Sequence, residues 1–313
     1  MFWTPPVQNI PILAATLNTA NVPPSSAPVP AAARPRGLSQ FIRRLYSSSS
    51  SAFGATVVIF FLIVAVAGPL IAPYGENEQV FADARQPPSA QHWFGVDRLG
   101  RDVFSRVLLG TRDIFSLAGL GTLLAVASGS AVGLFSGYVG GWVDEGVMRF
   151  FDSLLAMPAL LLALLLLGTI GQSRQGILVV IVVVYTPIVA RVVRSVVLGV
   201  KNKAFVEAAR TQGEPLHAIL LREILPSVLP ALAVEGALRF SYAIFLVASL
   251  GFLGVGVQPP EPDWGLMVNE ARQNVAQTPW ALYFPAAAIA LLVVGVNLMA
   301  DGLKRVLQEE DNV

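Results

Sequence analysis

The sequence predicts an all-α polytopic membrane protein with six transmembrane helices. Hydrophobic residues make up 54% of the 313 residues and charged residues only 13%, whereas soluble domains carry about 25% charged residues. The mean hydropathy is +0.64. Apolar runs long enough to cross a hydrocarbon layer of about 30 Å recur along the chain. Because backbone N–H and C=O groups in lipid must be bonded within the chain, each run is predicted to be a helix.

The six apolar segments differ in what their composition indicates about packing. The second segment is rich in Gly, Ala and Ser, and small residues allow membrane helices to approach closely, so we expect it inside the bundle. The fifth segment is interrupted by a pair of charges, Glu235 and Arg239. In chain order, the predicted spans are 53–72, 113–140, 154–171, 177–190, 229–254 and 281–300.

The segments outside the spans predict the orientation of the chain. Residues 1–45 are predicted to be a disordered tail, because the first part is rich in Pro, Ala and Ser. Arg34, Arg36, Arg43 and Arg44 precede the first span, and such residues favour the cytoplasmic side. Six crossings then place both termini in the cytoplasm. Five arginines in the loop 74–112 argue against this orientation, which is kept because the other loops agree with it. The predicted organisation is a tail at 1–45, a first span with an extracytoplasmic loop at 46–112, a five-span core at 113–305, and a short tail at 306–313.

The residue types present exclude several kinds of chemistry. The chain has no cysteine, which excludes disulfides and thiolate metal ligands. The P-loop pattern G-x-x-x-x-G-K-[ST] is absent, so the chain is not expected to hydrolyse ATP. His92 and His217 are the only histidines, they are far apart in sequence, and no HExxH pattern occurs. We therefore predict no catalytic residue, and no metal or cofactor bound by this chain.

A polar, helix-patterned stretch, FVEAARTQGEPLHAILLREILP at 205–226, separates the fourth and fifth spans. Ala204, Phe205, Ala208 and Ala209 have the spacing of one helical face. Gly213 is predicted to end this helix in the left-handed conformation.

Two prolines delimit the second helix of this stretch. Pro215 suits the first position of a helix, and Pro226 is predicted to end it before the fifth span begins. Two interpretations of the resulting elbow remain open. It is either a docking element for another protein or an amphipathic segment that rests on lipid headgroups.

The charges in the fifth span form the second candidate site. Glu235 and Arg239 are four residues apart, with Tyr242 and Ser249 close to the same face. One interpretation is an ion pair within the helix, packed against neighbouring helices. The other is a polar lining for a translocation pathway that carries a zwitterionic peptide. The stretch QPPEPDWG at 258–265 is either a plain turn or part of the pathway mouth.

Four motifs resemble those of a known family. EAARTQG at 207–213, followed by ILP, resembles the EAA loop of ABC-importer permeases. The other three are HWFGVDRLGRDVFSRVLLGTR (92–112), GWVDEGVMRFFDSLLAMPALLLAL (141–164) and LGFLGVGVQPPEPDWGLMV (250–268). Together they are similar to the C-type permease subunit of peptide/nickel ABC importers, from about residue 50 to 305. This resemblance implies the type I ABC importer permease fold and a bacterial inner-membrane location.

The resemblance also implies a division of labour between subunits. A homologous second permease would complete the pathway, two ATPase subunits would use ATP-Mg, and an extracytoplasmic binding protein would deliver a di- or oligopeptide or a nickel chelate. The EAA loop, at 201–226, would be the coupling element. The residues implied to contact an ATPase subunit are Phe205, Glu207, Ala208, Ala209 and Gly213. A secondary transporter remains the alternative from another class.

Overall fold

The computed structural model describes residue 43 and residues 45–311, with side chains as far as residue 307. That part of the chain is helical apart from its connections and one isolated bridge between Val96 and Asp102. The predicted tail lies outside the described residues except for Arg43 and Leu45, so Arg34, Arg36 and Arg44 are not described. The helices are α1 (Ser49–Ile71), α2 (Val103–Val139), α3 (Gly141–Leu155), α4 (Ala159–Ile170), α5 (Arg174–Val200), α6 (Ala204–Thr211), α7 (Leu216–Phe252), α8 (Trp264–Arg272) and α9 (Pro279–Asp311).

The predicted all-helical polytopic fold is confirmed. In the described part of the chain, five helices are long and apolar enough to cross a membrane, and α3 with α4 makes up to six. The third span, predicted at 154–171, is wrong as a single straight helix, because α3 and α4 meet at an angle of 91°. Pro158 lies at this bend and disfavours helical geometry in the residue before it. The 12 residues of α4 rise only about 18 Å.

Three other boundaries differ from prediction. The second span starts at Val103 rather than 113, because the Asp102 side chain accepts a hydrogen bond from the Ser105 N–H and caps the helix there. The fourth span is longer than 177–190, since α5 continues through Arg191 and Arg194 to Val200. The last helix continues to Asp311, so most of the predicted tail at 306–313 is helical.

The most extensive helix contact is between α2 and α5, and small residues on α2 make it possible. Gly121, Ala125, Gly129, Gly133 and Gly137 recur every four residues and are all buried. A Cβ added at Gly129 would lie 2.6 Å from the Val189 Cβ, and one added at Gly133 would lie 2.5 Å from the Ala190 carbonyl oxygen. The two backbones therefore touch with no side chain from this face of α2 between them.

A second close pair joins the two ends of the described chain. A Cβ added at Gly54 of α1 would lie 2.6 Å from the backbone oxygen of Gly295 in α9. The α7 helix packs against both α9 and α5. The main apolar core lies among these helices, with Ile244 and Leu250 of α7, Ile181 of α5 and Leu292 of α9 fully or almost fully buried. The α7 helix thus joins the α1–α9 pair to the α2–α5 pair.

One end of the bundle carries a folded cap, defined here as residues 72–102 together with α8. Buried Arg101 binds Asp97 through its Nε at 2.6 Å and Glu270 of α8 through a terminal nitrogen. Burial opposes the charge of Arg101, but these two carboxylates outweigh it and raise its pKa above the ordinary value. The Trp280 indole N–H donates to the Val96 carbonyl at 2.9 Å, which fixes the cap to the start of α9.

We predict that Gly133→Ala lowers the free energy of unfolding by about 1–3 kcal/mol, because the added methyl group overpacks the contact between α2 and α5. The matched control is Gly168→Ala in α4, where an added Cβ has no neighbour within 4 Å. Thermal unfolding of the purified chain in detergent measures both. Equal melting temperatures for the two variants would contradict the close contact.

Candidate coupling and translocation site

The elbow between α5 and α7 has the turn that its sequence predicts. Three residues separate the end of α5 at Val200 from the start of α6 at Ala204, and Gly213 has φ +77°, the left-handed conformation. An added Cβ at Gly213 would meet nothing within 4 Å, so glycine is needed there for its backbone angle and not for space. Pro215 precedes the next helix as its N-cap, and Leu216 is the first helical residue.

The predicted end of the second elbow helix at Pro226 is wrong. The helix continues through Pro226 to Phe252. A π-helical turn at Ile219–Ile224 precedes the proline, and Pro226 then occupies one of the first two positions of the following α-helical segment. A local π-helical adjustment lets a membrane helix tolerate proline, because it provides partners for the backbone groups that the missing N–H leaves free. The second elbow helix and the fifth span therefore form one continuous helix, α7.

The residues of the predicted Ala face of α6 are not all exposed, because Ala209 is buried. Val206 is 0% exposed and Ala209 is 6% exposed, because both pack in an apolar cluster with Ile219 and Ile224 of the returning helix. Ala208 and Phe205 are exposed. Ala209 therefore faces its own chain, whereas Ala204, Phe205, Glu207, Ala208 and Gly213 are open to solvent or to a partner. The roles assigned to these residues in contacting an ATPase stay predictions.

Two contacts that sequence reasoning missed attach the elbow to the end of α2. The Arg210 Nε donates to the Tyr138 hydroxyl at 2.9 Å, and its guanidinium lies 4.6 Å from the centre of that ring. The Lys201 ammonium donates to the Gly137 carbonyl at 3.0 Å. The elbow is therefore held by α2 as well as by the two helices that it connects.

The charges in α7 form the ion pair that their spacing predicts. The Arg239 Nε lies 2.8 Å from the Glu235 Oε1, and the side chains are 13% and 11% exposed. Neither atom has hydrogen-bond geometry, so the contact is an ion pair. A charge near the centre of a membrane helix costs roughly 2.5–3.5 kcal/mol on insertion scales. Pairing within the helix offsets part of this cost.

Arg239, Tyr242 and Ser249 line one cavity of about 460 Å³, but Glu235 does not. Tyr185 of α5, which sequence reasoning missed, completes the polar part of the lining. The remaining wall is apolar and comes from the α3–α4 bend, α5 and α7. Glu235 lies instead at a separate cavity beside Lys304. Three of the four residues predicted for the pathway therefore line the same cavity, and Glu235 does not.

A second charged cluster lies at the cap end, where QPPEPDWG contributes Glu261 and Asp263. Arg174 of α5 binds Asp113 of α2 at 2.8 Å and also binds Glu261. Asp263 caps α8 by accepting from the Leu266 N–H at 2.7 Å, while its Oδ2 has no partner in the described structure. Burial raises the pKa of Asp263 to about 7. This stretch is therefore anchored to α5 through Glu261 and leads into α8 of the cap through Asp263.

Comparison with known proteins decides what kind of protein carries these features. The model of the family described as binding-protein-dependent transport system inner membrane component matches residues 129–309. The chain belongs to this family. The model of the N-terminal TM domain of oligopeptide transport permease C matches residues 38–88.

Two named relatives cover nearly the whole permease. The dipeptide transport system permease protein DppC of Alkalihalophilus pseudofirmus is 37% identical over 85% of this chain and 87% of the relative. The glutathione transport system permease protein GsiD of Escherichia coli O6:K15:H31 is 39% identical over 86% of this chain and 89% of the relative. The chain is thus a multi-pass permease of the ABC-importer class and is not itself catalytic. Membership of this family replaces the alternative of a secondary transporter.

We predict that Arg239→Met lowers the free energy of unfolding by about 3–5 kcal/mol, because it leaves Glu235 as an unpaired buried charge. The double variant Glu235→Gln/Arg239→Met removes both charges and should recover most of that loss. Melting temperatures of the purified chain in detergent measure both variants. A double variant as unstable as the single one would show that the ion pair is not the reason.

The raised pKa of Asp263 predicts that the stability of the chain depends on pH. Because its pKa is raised from 3.8 to about 7, the folded chain retains a proton that the unfolded chain releases. Stability from this group is therefore fully present below pH 3.8 and is lost as pH rises towards about 7. Asp263→Asn keeps the capping oxygen, and we expect the fall in melting temperature from about pH 5 to about pH 7.5 to be smaller in this variant. Identical pH profiles would contradict the assignment.

Proposed function

We propose that the chain is a permease subunit of an ATP-driven, binding-protein-dependent importer of short peptides. The names of its relatives give dipeptides and glutathione as their cargo, and glutathione is itself a tripeptide. What the two cargoes share is a short peptide backbone with free carboxylates. A di- or oligopeptide is therefore the cargo class that this chain is proposed to pass, as half of a pathway completed by a second permease.

The observation that carries the proposal is the exposed face of α6 on an anchored elbow. Phe205 and Ala208 present an apolar and a small side chain to the outside of the chain, while Val206 and Ala209 fix the helix from within. A helix of this kind suits insertion into a cleft of an ATPase subunit, which would bind ATP-Mg. No ATP is expected to bind to the permease itself.

Coupling would then pass through α2 and α5 as well as through α7. Within the elbow, α6 follows α5 after three residues, binds α2 through Arg210 and Tyr138, and is joined to α7 by the turn at Gly213. Helices α2 and α5 contribute Asp113 and Arg174 to the charged cluster at the cap end. Helices α5 and α7 line the cavity of about 460 Å³. Movement of α6 during ATP binding would therefore displace the walls of the cavity.

The proposed orientation places α6 and both termini in the cytoplasm and the cap outside, where a binding protein would dock. The arginines in the loop 74–112 argue against this orientation only if they act as free positive charges. Arg101 is instead paired with two carboxylates, and buried Arg106 donates to the Glu76 carbonyl at 2.9 Å. Arg101 is therefore a structural part of the cap, and Arg106 attaches α2 to it.

The matched pair Ala208→Trp and Ala209→Trp tests the proposed contact. Ala208→Trp should leave the melting temperature of the chain unchanged and abolish most co-purification of the ATPase subunits, because the bulky ring blocks a close helix contact. Ala209→Trp should lower the stability of the chain itself, since overpacking costs about 1–3 kcal/mol. Full co-purification of the ATPase subunits with the Ala208 variant would instead show that α6 rests on lipid.

A further inference from the structure

The guanidinium of Arg239 is only partly used by its own chain. Its Nε pairs with Glu235, and its guanidinium carbon lies over two aromatic rings, 4.8 Å from the Tyr242 centre and 5.8 Å from the Tyr185 centre. Among the described residues, its two terminal nitrogens have no acceptor. Arg239 therefore brings unused N–H donors to a cavity of about 460 Å³.

The tyrosine rings determine which kind of group can use those donors. A contact between a guanidinium and an aromatic ring uses no N–H acceptor, so the N–H groups at the edge of the guanidinium stay available. A carboxylate approaches a guanidinium in this plane and forms two parallel N–H···O bonds. The free edge of Arg239 is therefore suited to a carboxylate, whereas a cationic or purely apolar group would gain nothing from it.

Glu235 provides the counter-charge when the cavity has no ligand. It lies one helical turn before Arg239 and does not line the same cavity. A carboxylate that enters the cavity therefore meets Arg239 from a different side and competes with Glu235 for its charge. Such competition keeps binding weak, and a transported solute must be released as well as bound.

The position of Arg239 along the helix places it within the hydrocarbon layer. Thirteen residues separate Arg239 from Phe252, the last residue of α7, which corresponds to roughly 20 Å of helix. Tyr185 lies at a similar distance from the start of α5. An intramembrane arginine with free donors is by default a candidate functional group, and the adjacent cavity has apolar walls from Val184, Ile188 and Leu246.

We propose that Arg239 is a carboxylate-binding residue of the translocation pathway, and that Glu235 is the internal counter-ion which the carboxylate displaces. The inference rests on the proposed function and specifies what the pathway recognises. Its ligand class is a peptide with a free carboxylate next to an apolar side chain. The carboxylate binds the edge of Arg239, and the apolar side chain contacts the surrounding wall.

The test uses the complete complex, with the second permease, the ATPase subunits and the binding protein, reconstituted in vesicles. Three probes separate the sources of a carboxylate: the dipeptide Ala-Phe, its C-terminal amide, and Glu-Phe amide, which carries only a side-chain carboxylate. Uptake by each variant is divided by uptake by the unmodified complex for the same probe. Because the binding protein is identical throughout, a probe-specific change in this ratio arises in the permease.

The double variant Glu235→Gln/Arg239→Met carries no unpaired charge and should remain folded. We expect it to raise the KM for Ala-Phe about tenfold, the scale of one lost charge-assisted interaction, and to change that of its amide less than about twofold. Arg239→Lys, which keeps the charge without the planar edge, should restore only part of the uptake. Glu235→Gln alone should lower both KM and kcat for Ala-Phe, because the carboxylate no longer has a competitor.

Comparison of the uptake of the three probes also shows which results would contradict the proposal. An equal loss for Ala-Phe and its amide, or unchanged uptake of all three probes, would overturn the carboxylate site while leaving the proposed function intact. A loss for Glu-Phe amide as well as Ala-Phe would support a site that accepts either carboxylate. Lack of uptake of every probe by the unmodified complex, with its subunits assembled, would overturn the proposed function and the site together.

Discussion

The close approach of α2 and α5 is the constraint on which the rest of the structure depends. Small residues at every fourth position of α2 are buried against α5, and an added Cβ at Gly121 would lie 2.8 Å from Ile181 atoms. A hydrogen bond of 2.7 Å between the Ser128 and Thr186 hydroxyls joins the same two helices. Because such contacts contain no compressible space, we infer that the pair moves as one body.

Three other parts of the chain are attached to this pair by charged or polar contacts. At the cap end, Arg174 connects α5 with Asp113 of α2 and with the loop before α8. At the start of α3, Asp144 is bound by Arg194 of α5 at 2.5 Å. At the other end, Arg210 binds Tyr138. A displacement of the elbow is therefore transmitted to the cavity and to the cap by contacts at both ends of the same rigid pair.

Hydropathy predicted the helical class and most of the spans, because the cost of exposed backbone in lipid leaves few alternatives. Hydropathy could not predict the bend at Pro158, because the sequence on both sides of this proline is apolar. Only the proline itself indicated a possible bend. Spacing alone predicted that Ala208 and Ala209 lie on the same exposed face of α6. The spacing within eight residues cannot specify which side of the helix packs against α7, and there Ala209 is buried. The pairing of Glu235 with Arg239 was one of two interpretations that the sequence allowed, whereas Tyr185 and Tyr138 are on distant helices and needed the fold.

The distance between α6 and α2 in the complete complex tests the central claim most directly. The chain has no cysteine, so spin labels on cysteines introduced at exposed Gln212 and Leu123 give that distance without background from this subunit. The structure predicts the same distribution of this distance with and without bound ATP, while the distance from Gln212 to a label on the second permease changes. A change of several Å between Gln212 and Leu123 on ATP binding would contradict coupling through a rigid α2–α5 pair.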